Sequence, residues 1–252
     1  MLGAIIGDIV GSRFEFNNVK SKNFNLFTKE CSFTDDTICT VAVADAILKG
    51  RSYRDSVHEW CRKYPHPMGG YGGSFAQWVR SDDPQPYYSF GNGSAMRVSP
   101  IGMYFDNEFG DVLKEAQASA EITHDHPEGI KGAQVTAMCV WMMRKGYTKA
   151  DMKFYVLGEY DSIPKFVPFS NPFNETCMNA VPVSVSCVLN STSFEEAIRN
   201  AMIIGGDSDT IGAITGGIAE AMYGVPVDLK DIAMSYLPDE MKRVINRFYS
   251  EL

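Results

Sequence analysis

Gly205-Gly206-Asp207-Ser208-Asp209-Thr210-Ile211-Gly212-Ala213 decides how the rest of the chain is read. Two glycines open a turn, two carboxylates follow at i and i+2, and a helix of small residues begins at about Thr210. Carboxylates beside a helix start are favoured by its free N–H groups and its dipole. Far earlier stands a second cluster of the same kind, Thr34-Asp35-Asp36-Thr37, leading into the apolar stretch Ile38 to Leu48. Asp and Thr are ordinary N-cap residues, and either cluster alone reads as a cap. If the fold brings the two helix starts together, four carboxylates and two threonine hydroxyls share one small space. Like charges that close stay ionised only beside a cation. An all-oxygen set without His or Cys suits a hard ion, Mg²⁺ or Mn²⁺, and two ions fit the ligand count better than one.

In the helix after Asp209, Gly212, Ala213, Gly216, Gly217 and Ala221 make small faces. Each helical glycine costs about 1 kcal/mol against alanine. Their presence predicts close backbone contact with another helix, and the equally small Gly3-Ala4-x-x-Gly7 segment is the partner expected. Helical periodicity runs through most of the remaining chain. It predicts helices over Leu2 to Ser12, Asp36 to Gly50, Tyr53 to Tyr64, Ser74 to Arg80, Glu108 to Thr123, Pro127 to Lys145 and Thr148 to Tyr160. Further helices are expected over Thr176 to Leu189 (despite Pro182), from a Ser193-x-x-Glu196 capping box to Ile204, and over Thr210 to Tyr223, Asp228 to Tyr236 and Pro238 to Tyr249. Loops are expected over Phe14 to Phe33, Pro65 to Gly73, Ser81 to Phe90 and Ser162 to Asn174. There is no repeat, charge block or linker, so the expectation is one all-α domain over residues 1–252.

The 252 residues, 45% of them hydrophobic, suffice for a substantial core. A net charge of −8 argues against general nucleic-acid binding through phosphates, though a helix start can still hold a small anion. Six cysteines include no C-x-x-C pair and several lie in apolar helical runs, which reads as reduced core cysteines of a cytoplasmic protein. No apolar run approaches the roughly 18 residues of a membrane span. Leu2 to Val10 contains Asp8 and lacks a basic start, so it does not read as a signal peptide.

Three more stretches carry candidate chemistry. Glu15 follows the first helix in Gly7-Asp8-x-x-Gly11-Ser12-Arg13-Phe14-Glu15 and reads, by itself, as a loop glutamate. Gly91-Asn92-Gly93-Ser94 offers backbone N–H groups to a phosphate or is a plain connecting turn. Thr123-His124-Asp125-His126-Pro127 puts two histidines two apart at a helix start. With no Cys or third His nearby they suit hydrogen bonding to a ligand rather than zinc.

Taken in order, Gly7-Asp8 with Gly11 and Glu15, Thr34-Asp35-Asp36-Thr37, Gly91-Asn92-Gly93-Ser94-x-Met96-Arg97, Thr123-His124-x-His126-Pro127 and Gly206-Asp207-Ser208-Asp209-Thr210 resemble the ADP-ribosylglycohydrolase family. The likeness covers nearly the whole chain. It implies a compact orthogonal helix bundle with two Mg²⁺ or Mn²⁺ ions at the bottom of a cleft that binds ADP-ribose. By position, Thr34, Asp35 and Asp36 resemble one ligand group, and Asp207, Asp209 and Thr210 the other. Ser208 departs from the threonine common there, between the ligands. Glu15 matches a glutamate near the metals, and Asp207 or Glu15 would be the catalytic carboxylate. Gly91, Asn92, Gly93, Ser94 and Met96 resemble the diphosphate loop, Phe90 or Tyr71 would stack on adenine, and His124 and His126 would line the ribose. The implied activity is hydrolysis at the anomeric carbon of the distal ribose of an ADP-ribosylated protein or small conjugate, by a monomer. A non-catalytic ADP-ribose binder, a structural member resembling a lens crystallin, and a hydrolase of another nucleotide-linked sugar are the alternatives. The Tyr64 to Ser74 and Ser162 to Asn174 loops are expected to shape leaving-group choice.

Overall fold

Periodicity predicts helices, and the computed structural model, which describes residues 1–106 and 109–252, contains fourteen of them among the described residues. They are α1 (Leu2–Gly11), α2 (Asp35–Lys49), α3 (Tyr53–Lys63), α4 (Gly73–Arg80), α5 (Gly93–Met96), α6 (Ser99–Tyr104) and α7 (Phe109–Glu121), followed by α8 (Pro127–Arg144), α9 (Lys149–Glu159), α10 (Cys177–Leu189), α11 (Phe194–Ile204), α12 (Ser208–Tyr223), α13 (Val227–Ser235) and α14 (Asp239–Ser250). Apart from one isolated bridge between Gly91 and Thr176, the described residues pair no strands. The predicted Glu108 start of α7 lies outside the described residues.

The centre of the molecule is α12, buried from Ser208 to Glu220 and packed against α1, α8, α10 and α11. Its closest partner is α1, and glycine makes that closeness feasible. A Cβ at Gly3 would run into the Gly216 carbonyl, one at Gly7 into Gly212, and one at Gly11 into Ser208. The glycines recur every four residues on both helices, so two backbones meet along a whole face. Every residue of α1 is buried. Side chains from α1 through α14 join one contiguous hydrophobic cluster.

Three local features differ from the sequence expectation. Helix α12 begins at Ser208, two residues early, which makes Asp207 its N-cap and puts Asp209 in its first turn. Glu196 does not close a capping box. Its backbone N–H is capped by Ser193, but its carboxylate reaches back to the N–H and hydroxyl of Thr192, both at 2.6 Å. A reciprocal box forms instead at Thr148 and Asp151. The short helix α6 was not anticipated, because six residues are too few to show a period. Among the described residues no helix is long and apolar enough to cross a membrane, and the six cysteines are buried and free.

Candidate functional site

Because α1, α2 and α12 touch one another, the starts of α2 and α12 converge beside the middle of α1. Asp8 stands there, an acid inside an otherwise apolar helix and 0% exposed. Four donors satisfy it. Thr34 gives its hydroxyl (2.7 Å) and N–H (3.0 Å), and Thr37 gives its hydroxyl (2.5 Å) and N–H (3.1 Å). Asp8 thereby fixes the first turn of α2 on α1. Thr34 is a genuine N-cap, its hydroxyl accepting the Asp36 N–H at 3.2 Å. Because Thr34 already does the capping, Asp35 and Asp36 are not needed for it.

Asp36 Oδ2 accepts the Thr210 hydroxyl across the gap between the helices at 3.2 Å, while Asp36 Oδ1 is buried without any hydrogen-bond partner. Asp207 likewise does not cap α12; its Oδ2 accepts from the Asn92 side-chain amide at 2.7 Å. The turn that aims it depends on Gly205 and Gly206, both at φ +91°, a backbone state closed to ordinary side chains. Asn18 holds this turn from the other side, accepting the Gly206 N–H at 2.9 Å and donating to the Gly206 carbonyl at 2.8 Å.

Two sets of carboxylate oxygens result, each mutually within 4.8 Å: Asp8, Asp36 and Asp209 in one, Glu15, Asp207 and Asp209 in the other. Burial and mutual repulsion act together on them. Burial, then the neighbouring negative charges, holds Asp35, Asp36 and Asp209 well above the usual carboxylate range. Burial, then the charges of Asp207, Asp8 and Glu175, pushes Glu15 up to about 7. Burial raises Asp8 to about 6 against the pull of its four donors. An orphaned buried oxygen among crowded oxygens, with no cationic side chain bonded to them, is what a hard divalent ion would satisfy.

Asp35, Asp36, Asp207, Asp209, Thr210 and Glu15 line a cavity of about 390 Å³, while Asp8 lies behind them. The remaining wall includes Gly91, Asn92, Gly93, Met96, His124 and Tyr71, all anticipated as ligand contacts. It also includes Phe16 and Glu175, which were not, and Gly72-Gly73-Ser74 at the start of α4, part of the Tyr64 to Ser74 loop expected to shape leaving-group choice. His124 is buried, and that burial, then the nearby Arg97 charge, drives its pKa well down, so the ring is neutral. Its Nδ1 lies 2.7 Å from the Thr123 hydroxyl. Tyr71 is tied by its hydroxyl to the carbonyls of Tyr64 and Cys61, leaving its ring on the wall.

Four anticipated residues lie elsewhere. Thr34 is 0% exposed behind the acids, bonded to Asp8. Ser94 is 0% exposed and donates to the Gly129 carbonyl at 2.7 Å. His126 caps α8, its Nδ1 accepting the Glu128 N–H at 3.0 Å, with its ring edge-on to Tyr88 and Phe90. Phe90 is 44% exposed beside it, off the cavity lining. The hydrogen-bonding role of Asp8 had a signal in the sequence, a charge in the middle of LGAIIGDIVG. Glu175 and Phe16 had none, being loop residues with no period.

A helical scaffold presenting two acidic helix starts to one cavity defines the class to which this protein belongs, and comparison gives that class a name. A sequence model of the ADP-ribosylglycohydrolase family matches residues 1–251, and the chain belongs to that family. It is 25% identical to the ADP-ribosylhydrolase ARH3 of Danio rerio, over 89% of this chain and 82% of that protein. It is 23% identical to the ADP-ribosylarginine hydrolase Tri1 of Pseudomonas putida, over 89% of this chain and 70% of that one. A solved ADP-ribosylglycohydrolase-related protein complex superimposes with a TM-score of 0.75 at 21% identity, covering 99% of this chain and 96% of that one, which speaks for the fold.

Proposed function

We propose that this protein is a divalent-cation-dependent hydrolase that releases ADP-ribose from an ADP-ribosylated protein or small conjugate. The observation that carries this is the convergence of Asp36, Asp207, Asp209 and Thr210 from two helix starts, with the buried Asp36 Oδ1 left without a partner. The family match and the relatives named for ADP-ribosyl hydrolysis support it.

Asp35, Asp36, Asp207, Asp209 and Thr210 would hold two Mg²⁺ or Mn²⁺ ions, which supply charge to orient the ribose hydroxyls and lower the pKa of a water. Asp207 or Glu15 would take a proton from the attacking water as its oxygen bonds to the anomeric carbon, while the broken bond's electron pair leaves with the departing atom, which takes up a proton. Asn92 keeps Asp207 aimed at the cavity. The diphosphate would use the open backbone at the uncapped start of α4, because in the neighbouring Gly91–Gly93 turn the Gly91 and Asn92 N–H groups already donate to Ser89 and Glu175. Nothing stands within 4 Å of where a Cβ at Gly72 or Gly73 would lie. Neutral His124, behind that turn, adds a hydrogen-bonding ring without adding charge. Grip on the diphosphate positions a carbon remote from it.

The test is binding by calorimetry, with ADP-ribose, other nucleotide sugars and each divalent cation. Cation-dependent binding of ADP-ribose over the others is expected. Preference for another nucleotide sugar would reassign the substrate, and indifference to all ligands would leave a structural protein.

A further inference from the structure

The imidazole of His124 stands on the cavity wall with its two nitrogens in unlike places. Nδ1 is turned inward, 2.7 Å from the Thr123 hydroxyl, and among the described residues that is the ring's one hydrogen bond. Nε2 lies against the cavity-lining Gly91–Gly93 turn. A Cβ at Gly91 would come 3.4 Å from Nε2 and one at Gly93 3.1 Å, so glycine at both positions leaves that edge of the ring uncovered. A ring nitrogen without a partner, on a residue 5% exposed beside a cavity, is aimed at a ligand.

Which nitrogen carries the proton is decided one step further in. Arg97 follows α5, is 1% exposed, and can only donate. Its Nη2 gives hydrogen bonds to the Ser119 carbonyl at 2.7 Å and to the Thr123 side-chain oxygen at 2.9 Å. Thr123, fully buried, thus has its oxygen engaged as an acceptor and its own hydroxyl proton left to place. Nδ1 of His124 is the acceptor beside it. A proton on Nδ1 would instead point two donors at the Thr123 oxygen and strand its O–H without an acceptor, a costly state inside a protein. Nδ1 therefore accepts, and the neutral ring carries its proton on Nε2. A second proton meets the same obstacle, to which burial and then the Arg97 charge add.

We infer that Arg97 and Thr123 are positioning residues, which hold His124 as its Nε2–H tautomer, a neutral donor offered past the Gly91–Gly93 turn to an acceptor oxygen of the ligand. The tautomer follows from bonds within this chain, whereas ADP-ribose as the ligand rests on the hydrolase reading. Phosphate and ribose-ring oxygens accept and never donate, so a fixed N–H suits them and a bare ring nitrogen would face them lone pair to lone pair.

The test is a nitrogen NMR spectrum of the histidine rings at about pH 7, where a protonated ring nitrogen is told from a bare one. It is recorded for wild type, Thr123→Val and Thr123→Ser, with ADP-ribose then titrated into each, and signals lost in His124→Gln identify the ring. Wild type should show Nε2 protonated and Nδ1 bare before any ligand is added. Thr123→Val keeps the shape but frees Nδ1, so the ring should divide between both tautomers and ADP-ribose should bind about tenfold more weakly. Thr123→Ser should restore both properties. A wild-type ring protonated on Nδ1, or on both nitrogens, overturns the inference even if Thr123→Val does not fold. So does a Thr123→Val ring with its tautomer unchanged, or one whose tautomer shifts while ADP-ribose affinity stays the same. Failure of wild type to bind ADP-ribose overturns the hydrolase reading instead, and the ligand-free spectra still decide the tautomer.

Discussion

Asp8 shows how a single residue ties packing to chemistry. Its carboxylate is tolerated inside α1 because the N–H and hydroxyl groups of Thr34 and Thr37 replace the water it lost. Asp8→Ala strands those buried donors and should lower stability by about 2–4 kcal/mol, read by urea denaturation. A loss within error of zero would mean that the α2 start holds itself. Asp209→Asn keeps the shape but removes a charge common to both oxygen clusters. Cation-dependent turnover should vanish while the helical circular dichroism stays, and wild-type activity would remove Asp209 from the centre. Protonation gives a third test. Asp8 is raised to about 6 and Glu15 to about 7, so between the ordinary carboxylate range and those values the unfolded chain has released protons that the folded chain still holds. Stability of the cation-free protein therefore falls as pH rises through that window. Added Mg²⁺ should offset the fall, more strongly at pH 7.5 than at pH 5, because ligands must be deprotonated to bind. Thermal melts across pH with and without Mg²⁺ check both statements, and a cation-free melting temperature that rises from pH 5 to 7 would contradict them.

Among the elements, the α1–α12 pair sets the distance between the acids. Gly7→Ala forces a methyl into the Gly212 backbone, and a cost of about 1–3 kcal/mol is expected, together with weaker cation binding as Asp8 and Asp209 are pushed apart. Gly158→Ala is the control, since nothing stands near that position on α9, and it should stabilise by about 0.5–1 kcal/mol. Melting temperatures that moved alike in the two variants would contradict the close-packed interface. This pairing is legible in the sequence because small residues at helical spacing have one common use, backbone contact. The long helices are legible for a similar reason, since ten or more residues show a period. What the sequence does not show depends on distances between remote segments. Glu196 selects Thr192 over its own box partner, Asp207 turns to Asn92 rather than to its helix, and Glu175 reaches the cavity only because Asn92 and Phe90 hold its loop. Ser94 and His126 had the right chemistry for ligand contact, yet the Gly129 carbonyl engages the one and capping of α8 engages the other.

At the scale of the whole molecule, the fourteen helices of the described residues hold two acidic helix starts and a glycine-rich wall around one cavity. Six of the chain's 31 acidic residues line that cavity, which concentrates negative charge at one place on a chain of net charge −8. Family membership and the fold agree with that arrangement. The measurement that bears most directly on the account is release of free ADP-ribose from an ADP-ribosylated protein, followed by mass spectrometry with Mg²⁺ and again after EDTA. The account predicts release that stops with EDTA and returns when Mg²⁺ is restored. Release that continues undiminished after EDTA would contradict the role given to Asp36, Asp207 and Asp209.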